Sequence, residues 1–319
     1  CGALKHKPGD EDYEIDKFDL VVEQMEALVV SLDENLNSIK RVWVVAEIGK
    51  ALKICPVFFR IASGLSDQCV EKLDNGTPLM ESVEACEATS PEDRERILKE
   101  IGSMPGGTSA YDTFINAMLE VNLGIFHRLS ALQGNAAETV GKLTNLAVDS
   151  TWRGSSLKSA SELMGDGSSF ECMKSLMHLS ADFKDCSKLS DIKALGDGIG
   201  KLTSLLHLNL DFRNCTQLND IKALGKGIGK LTSLLHLKLN SLGCNELSDI
   251  KALGVGIGKL TNLQHLHLDF QCCEQLNDIK ALGEGIGQLT SLQHLCFLAC
   301  AQLSDIKALG EGIGKLTSL

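Results

Sequence analysis

Five of the eight histidines in this 319-residue chain fall at one step of a repeat: His178, His207, His236, His265 and His294. Each opens a run in which polar and apolar residues alternate, as in His207-Leu208-Asn209-Leu210-Asp211. A period of two sends successive side chains to opposite faces of a strand, so Leu208 and Leu210 point into a core while His207, Asn209 and Asp211 point out. Set side by side, the outward positions form three rows. The first is the histidine row. The second holds Ser180, Asn209, Lys238, His267 and Cys296, and the third Asp182, Asp211, Asn240, Asp269 and Leu298. Imidazoles change charge close to neutral pH, so a row of them is a pH-responsive surface. His265, His267, Asp269 and His294 share a face and are ligand types for zinc or copper. Copying of one ancestral repeat explains the same histidines without a metal, and no metal is assigned. The use these residue types support best is recognition by hydrogen bonding and charge. The candidate binding residues are His178, His207, His236, His265, His294, Asn209, Lys238, His267, Asp182, Asp211 and Asp269.

What must position them is the repeat itself. Asp-Ile-Lys triplets begin at Asp191, Asp220, Asp249, Asp278 and Asp305, in steps of 29, 29, 29 and 27 residues. A fixed period in this range marks a solenoid. Within Leu202–Lys230 the strand is followed by Asn219-Asp220, read as an N-cap pair, and then by Ile221, Leu224 and Ile228 at helical spacing. Gly225, Gly227 and Gly229 weaken that helix by up to ~1 kcal/mol each relative to alanine, and are read as close approach of helix to sheet with a tight exit turn. The Gly196-x-Gly-Ile-Gly-Lys201 stretch is not a phosphate loop, because Leu202 follows the lysine where such a loop has Ser or Thr. One repeat is too small to bury its apolar side chains alone. Neighbours must stack, with strands paired in parallel and helices outside.

The pattern Leu292-x-x-Leu295-x-Phe297-x-x-Cys300-x-x-Leu303 resembles the cysteine-containing form of the leucine-rich-repeat consensus; the other copies carry two extra residues between strand and cysteine. The resemblance covers about residues 170–319, five repeats and the start of a sixth. Its helix-bearing return is similar to the ribonuclease-inhibitor class. It implies a curved solenoid whose concave parallel sheet binds other macromolecules.

Ahead of the solenoid, Phe18 to Leu28 has a helical pattern, and Ala27–Leu32, Ser38–Leu52 and Ile54–Phe59 read as strand, helix and strand, a βαβ unit. Trp43-x-x-x-Glu47-Ile48 within it, followed by a Pro-Val strand, resembles the third strand, helix and fourth strand of a TIR domain. That family commonly has Trp-Cys where this chain has Trp43-Val44, and residues before 17 leave no room for its first strand. In TIR domains that cleave NAD the glutamate at this position is catalytic, so the resemblance implies Glu47 as the residue that would stabilise the cationic sugar as nicotinamide leaves. Further on, a helix is expected near Asp67–Lys72. Ser90-Pro91-Glu92-Asp93 is a helix start. Tyr111–Gln133 reads as one amphipathic helix carrying Phe114, Met118, Val121, Ile125, Leu129 and Leu132, placed as a cap on the solenoid. Residues 141–165 echo the repeat as a degenerate opening copy.

The expected architecture is therefore α/β: a tail over 1–16, a partial TIR-like α/β region over 17–107, a helical cap and degenerate repeat over 108–169, and a leucine-rich-repeat solenoid over 170–319. Net charge of −11 argues against nucleic acid or an anionic membrane as the main partner. No apolar run has transmembrane length and the start lacks a signal-peptide pattern. Of twelve cysteines, Cys186, Cys215, Cys244, Cys273 and Cys300 share one repeat position and read as a buried column of free thiols, since parallel neighbours do not face one another as a disulfide needs. Reduced thiols favour an intracellular, cytoplasmic setting. The chain starts at Cys1 and stops four residues into a sixth repeat, which reads as a fragment or a processed product. The expected function is non-catalytic recognition of another protein, or scaffolding, with no cofactor. NAD cleavage through Glu47 and a structural role in a larger assembly are the alternatives.

Overall fold

In the computed structural model, the described residues are 28–55, 57–61, 64–300, 303 and 306–316. The tail, the helical pattern before Leu28, Pro56, Asp305 of the fifth triplet and the last three residues lie outside them. The chain divides into two compact units, Cys1–Leu119 and Glu120–Leu319.

In the first unit, strand β1 (Leu28–Leu32), helix α1 (Val42–Ile54) and strand β2 (Val57–Ile61) form the expected strand–helix–strand unit, with β1 and β2 parallel from Leu28·Val57 to Leu32·Ile61. The helix starts at Val42, not Ser38. The Asp33 carboxylate accepts from the amides of Asn35, Asn37 and Ser38 at 3.0, 3.2 and 3.3 Å, which winds Asn37–Lys40 into a 3₁₀ turn. Arg41 is then extended and bridges to Glu87 before the helix begins. Because α1 runs through Ile54, the second strand begins at Val57 rather than Ile54. Helix α2 spans Asp67–Asp74 and α3 Pro91–Gly102; Ser90 Oγ accepts from the Asp93 amide at 3.3 Å, as its sequence requires.

Helix α4 spans Gly107–Asn122, not Tyr111–Gln133. Gly124 ends it. At φ +81°, Gly124 donates to Val121 O (3.1 Å) and Ile125 donates to Glu120 O (2.8 Å), the two bonds of a Schellman cap. A Cβ there would stand 2.7 Å from Ser150 Oγ and 2.9 Å from Val148 Cγ1, so no other residue fits. Leu129–Ala131 is a separate 3₁₀ turn.

The second unit is built on one six-stranded parallel sheet. After α5 (Gly134–Lys142) come β3 (Asn145–Asp149) and the short α6 (Ser161–Met164); then strand and helix alternate as β4 (His178–Asp182), α7 (Lys193–Ile199), β5 (His207–Asp211), α8 (Lys222–Ile228), β6 (His236–Asn240), α9 (Lys251–Ile257), β7 (His265–Asp269), α10 (Lys280–Ile286), β8 (His294–Leu298) and α11 (Lys307–Ile313). The sheet order is β3 to β8 in sequence order, and from β4 onward each histidine sits opposite the next. This is a repeat solenoid. The echo at Gly141–Leu146 supplies its first strand, β3. No helix among the described residues is long and apolar enough to cross a membrane.

Leu202, Leu205, Leu210, Leu218, Leu224 and Ile228 fill the space between sheet and helices and are fully buried. The shared cysteines are free and buried there too. They are more than small apolar residues: Cys215, Cys244 and Cys273 each donate a thiol hydrogen to the backbone oxygen that follows the preceding strand, of Phe183, Phe212 and Ser241, at 3.2, 3.2 and 3.1 Å. The Asp-Ile-Lys triplets have a similar task on the return path. Asp191, Asp220, Asp249 and Asp278 pair as isolated parallel bridges, and each carboxylate accepts the amide two residues on, at 2.8–2.9 Å. The N-cap position itself is the isoleucine between them.

The helix glycines face neighbouring helices, not the sheet. A Cβ on Gly225 would fall on the backbone of Ala252 and Leu253 in α9, and a Cβ on Gly227 on the carbonyl oxygen of Gly196 in α7. A Cβ on Gly229 would lie 2.9 Å from Gly256 Cα. The last glycine of each helix is right-handed (Gly229 φ −64°), so it serves no positive-φ exit turn. Replacing Gly227 by alanine is expected to destabilise the second unit by about 2–4 kcal/mol. At Gly310, where an added Cβ meets nothing within 4 Å, the same change is expected to stabilise by about 0.5–1 kcal/mol. Denaturant unfolding of the two variants checks both signs.

Candidate functional site

The first outward row is a continuous stack of rings. Successive imidazole centroids from His178 to His294 are 4.2, 4.2, 4.2 and 4.4 Å apart, with planes within 14° of parallel. The in-register parallel ladder produces this: identical residues opposite one another must share one rotamer to pass. His178, His207, His236 and His265 are half-buried between their neighbours and His294 is exposed. Parallel rings set face to face do not converge on a point, and among the described residues no group of three or more His, Cys, Asp or Glu side chains is arranged to hold a metal ion.

The second row lies two residues along each strand. Asn209 Nδ2 donates to Ser180 Oγ at 2.9 Å, Lys238 is exposed, and His267 and Cys296 are half-buried. Its fixed charge, Lys238, lies on β6.

The third row behaves differently from the surface reading. Asp182, Asp211, Asn240 and Asp269 each turn a side-chain oxygen back to the amide two residues on, of Lys184, Arg213, Leu242 and Gln271, at 2.9–3.1 Å. These bonds close the turn that ends each strand. Asp211 also holds the Arg213 guanidinium, with contacts of 2.6–2.9 Å. Asp269, expected to be exposed, is only 6% exposed, in register between Asn240 and Leu298. The signal for this role is visible in the sequence as Asp or Asn two residues before the turn in four of the five repeats. It is the same signal that suggested recognition, and geometry alone separates the two.

Electrostatics follow from this placement. Burial lowers the proton affinity of His207 and of His236, and the neighbouring imidazoles lower it further. Burial raises the Asp182 carboxyl, and Asp211 and Asp149 add to that, against the Lys184 amide and Arg213. In the first unit Glu47 lies half-buried on α1; burial raises its carboxyl, with Lys50 opposing. Lys50 also pairs with Glu100 at 3.6 Å.

The histidine row makes stability pH-dependent, with a definite sign. The unfolded chain takes up protons near the ordinary histidine value of about 6.5, before His207 and His236 do so in the fold. The folded form then binds fewer protons, so stability is highest above that value and falls as pH drops through it. Asp182 acts in the opposite sense, at more acid pH, around the ordinary carboxylate range. Thermal unfolding followed from about pH 7.5 to about pH 5.5 is expected to show a falling midpoint, and His236→Asn a shallower fall. An equal slope in both proteins would remove the stack as the cause.

No family model matches the chain, and no curated protein matches it either.

Proposed function

We propose that the chain is a leucine-rich-repeat recognition protein that binds another protein through the concave face of its solenoid, without catalysis and without a cofactor. The observation that carries this reading is the unbroken in-register row of outward polar side chains across β4–β8. The strands keep a hydrophobic inner face whatever stands outside, so the core does not dictate the types of His207, His236, His265, Asn209 and Lys238, whose contacts lie along the outward face itself. The region over 17–107 is read as a partial TIR-like module preceding this binding solenoid in the chain. That pairing of modules rests on analogy.

The test compares the chain with a variant carrying alanine at His207, His236, His265, Asn209 and Lys238. Asp211 and Asp269 stay unchanged, because both close turns and Asp269 is buried. Quantitative capture from native lysate is expected to lose its specific protein from the variant while circular dichroism stays the same. An identical set of captured proteins would move recognition off this face.

The second reading is NAD cleavage by the first unit. The half-buried Glu47, with its carboxyl raised by burial, is the observation in its favour. NAD consumption by the parent and by Glu47→Gln separates the two. The recognition reading expects no turnover in either; turnover by the parent, lost in the variant, would establish the enzyme.

A further inference from the structure

Among the described residues of the second unit, the stacked imidazoles face no counter-charge. Opposite His178 on β3 stands Asn145. The residues just ahead of the five histidines are Met177, Leu206, Leu235, Gln264 and Gln293, none of them ionisable at ordinary pH. Two residues along, the row reads Ser180, Asn209, Lys238, His267 and Cys296, so the nearest charges on the face are themselves cationic. The carboxylates of Asp182, Asp211 and Asp269 are four residues along, about 13 Å away at the rise of a strand, and are engaged with turn amides or with Arg213. Each proton taken up by the stack therefore brings positive charge beside other rings 4.2–4.4 Å away, with no described carboxylate facing it. That charge is stabilised only from outside the sheet.

We propose that the histidine row is an acid-gated acceptor for an acidic peptide segment, which it binds more tightly below neutral pH than at it. The inference rests on the reading of this face as the recognition surface, and adds the partner's chemistry and the condition for binding. Geometry selects the class of anion. The strip is narrow, the histidine row with Lys238 and His267 two residues along, and the third-row carboxylates run parallel to the histidines at about 13 Å. A single acidic polypeptide fits between them. A nucleic-acid duplex is wider than that gap and would meet both the Asp row and a chain of net charge −11. The strip is also unequal along its length: Lys238 and His267 add to His236, His265 and His294, so the acidic end of the segment seats across β6–β8. Binding carboxylates to the protonated rings must in turn raise their proton affinity, because the two equilibria are linked.

The experiment uses the full chain and a probe of defined chemistry, N-acetylated hexaglutamate. Its affinity is measured by titration calorimetry at about pH 7.5 and about pH 5.5, while the histidine ring resonances are followed by NMR. The expected result is about tenfold or greater tightening at the lower pH, with the ring titrations of His207 and His236 moving to higher pH when peptide is present. His207→Asn with His236→Asn is expected to keep the far-ultraviolet circular dichroism and to lose the gain. Lys238→Ala is expected to weaken binding at both pH values and to leave the ratio intact. Equal affinity at the two pH values, no binding at either, or an undiminished gain in the histidine variant overturns the proposal. Oligothymidylate of equal charge binding as tightly overturns the assignment to acidic peptide. If the alanine variant of the face loses its captured protein while hexaglutamate is ignored, acid gating fails and concave-face recognition stands. If neither responds, both fail.

Discussion

The solenoid depends on how closely two helix backbones can approach. Consecutive strands in a parallel sheet lie about 4.8 Å apart, whereas packed helices ordinarily keep 8–10 Å between axes because side chains intervene. A repeat with one strand and one helix must reconcile those spacings. Here the helices approach by removing side chains at the contact: Gly225 meets the backbone of Ala252 and Leu253, Gly227 meets the oxygen of Gly196, and Gly229 stands against Gly256. The conformational cost of three glycines in a seven-residue helix and its cap is the other side of that approach. Helices this short and this poor in propensity are held by their neighbours rather than by themselves.

Once the helices keep the same pace as the strands, the strands stay in register and identical residues fall opposite one another. The ring stack, the thiol column and the aspartate bridges are all results of that registration. They differ in what they do with it. The thiols and the Asp191 column satisfy backbone groups that the repeat's turns would leave unpaired. The imidazoles satisfy nothing in the backbone. They stack on the outward side of the sheet, where burial and then the neighbouring rings lower the proton affinity of His207 and His236. A side chain repeated five times without a structural bond to make is the strongest pointer to function in the second unit.

Much of the second unit could be read from the amino acids, for a physical reason. Alternation around Leu208 and Leu210 sets the buried face of a strand, and a fixed period sets the register, so the sheet and its three outward rows follow directly. The role of the glycines did not follow, because their partner is the backbone of another repeat and a single copy gives no direction of approach. The end of α4 was hidden by Ile125, Leu129 and Leu132, which continue an apolar stripe beyond Gly124 although the glycine has already turned the chain. Asp182, Asp211 and Asp269 stand at strand positions read as outward, but Asp269 is buried and the turn-closing bonds of all three use the same chemistry as recognition. In the first unit the pairing of β1 with β2 was legible from two apolar runs. The later start of α1 was not, since it rests on Asp33 gathering three amides.

The thiol column also bears on the reactivity of the interior. Oxidation of cysteine proceeds through the thiolate. Burial pushes Cys186 and Cys244 up to about 12, and Cys215 and Cys273 higher still. At neutral pH almost none of the nucleophilic form exists, and each thiol proton is engaged with a carbonyl of the repeat before it. The sulfurs lie in the turns that follow the strands, and at the end of the column the side chains of Cys273 and Cys300 interact directly. Burial and the carbonyl bonds thus disfavour the reactive thiolate in the interior of the repeats. The cysteine column is a record of how the turns are stitched.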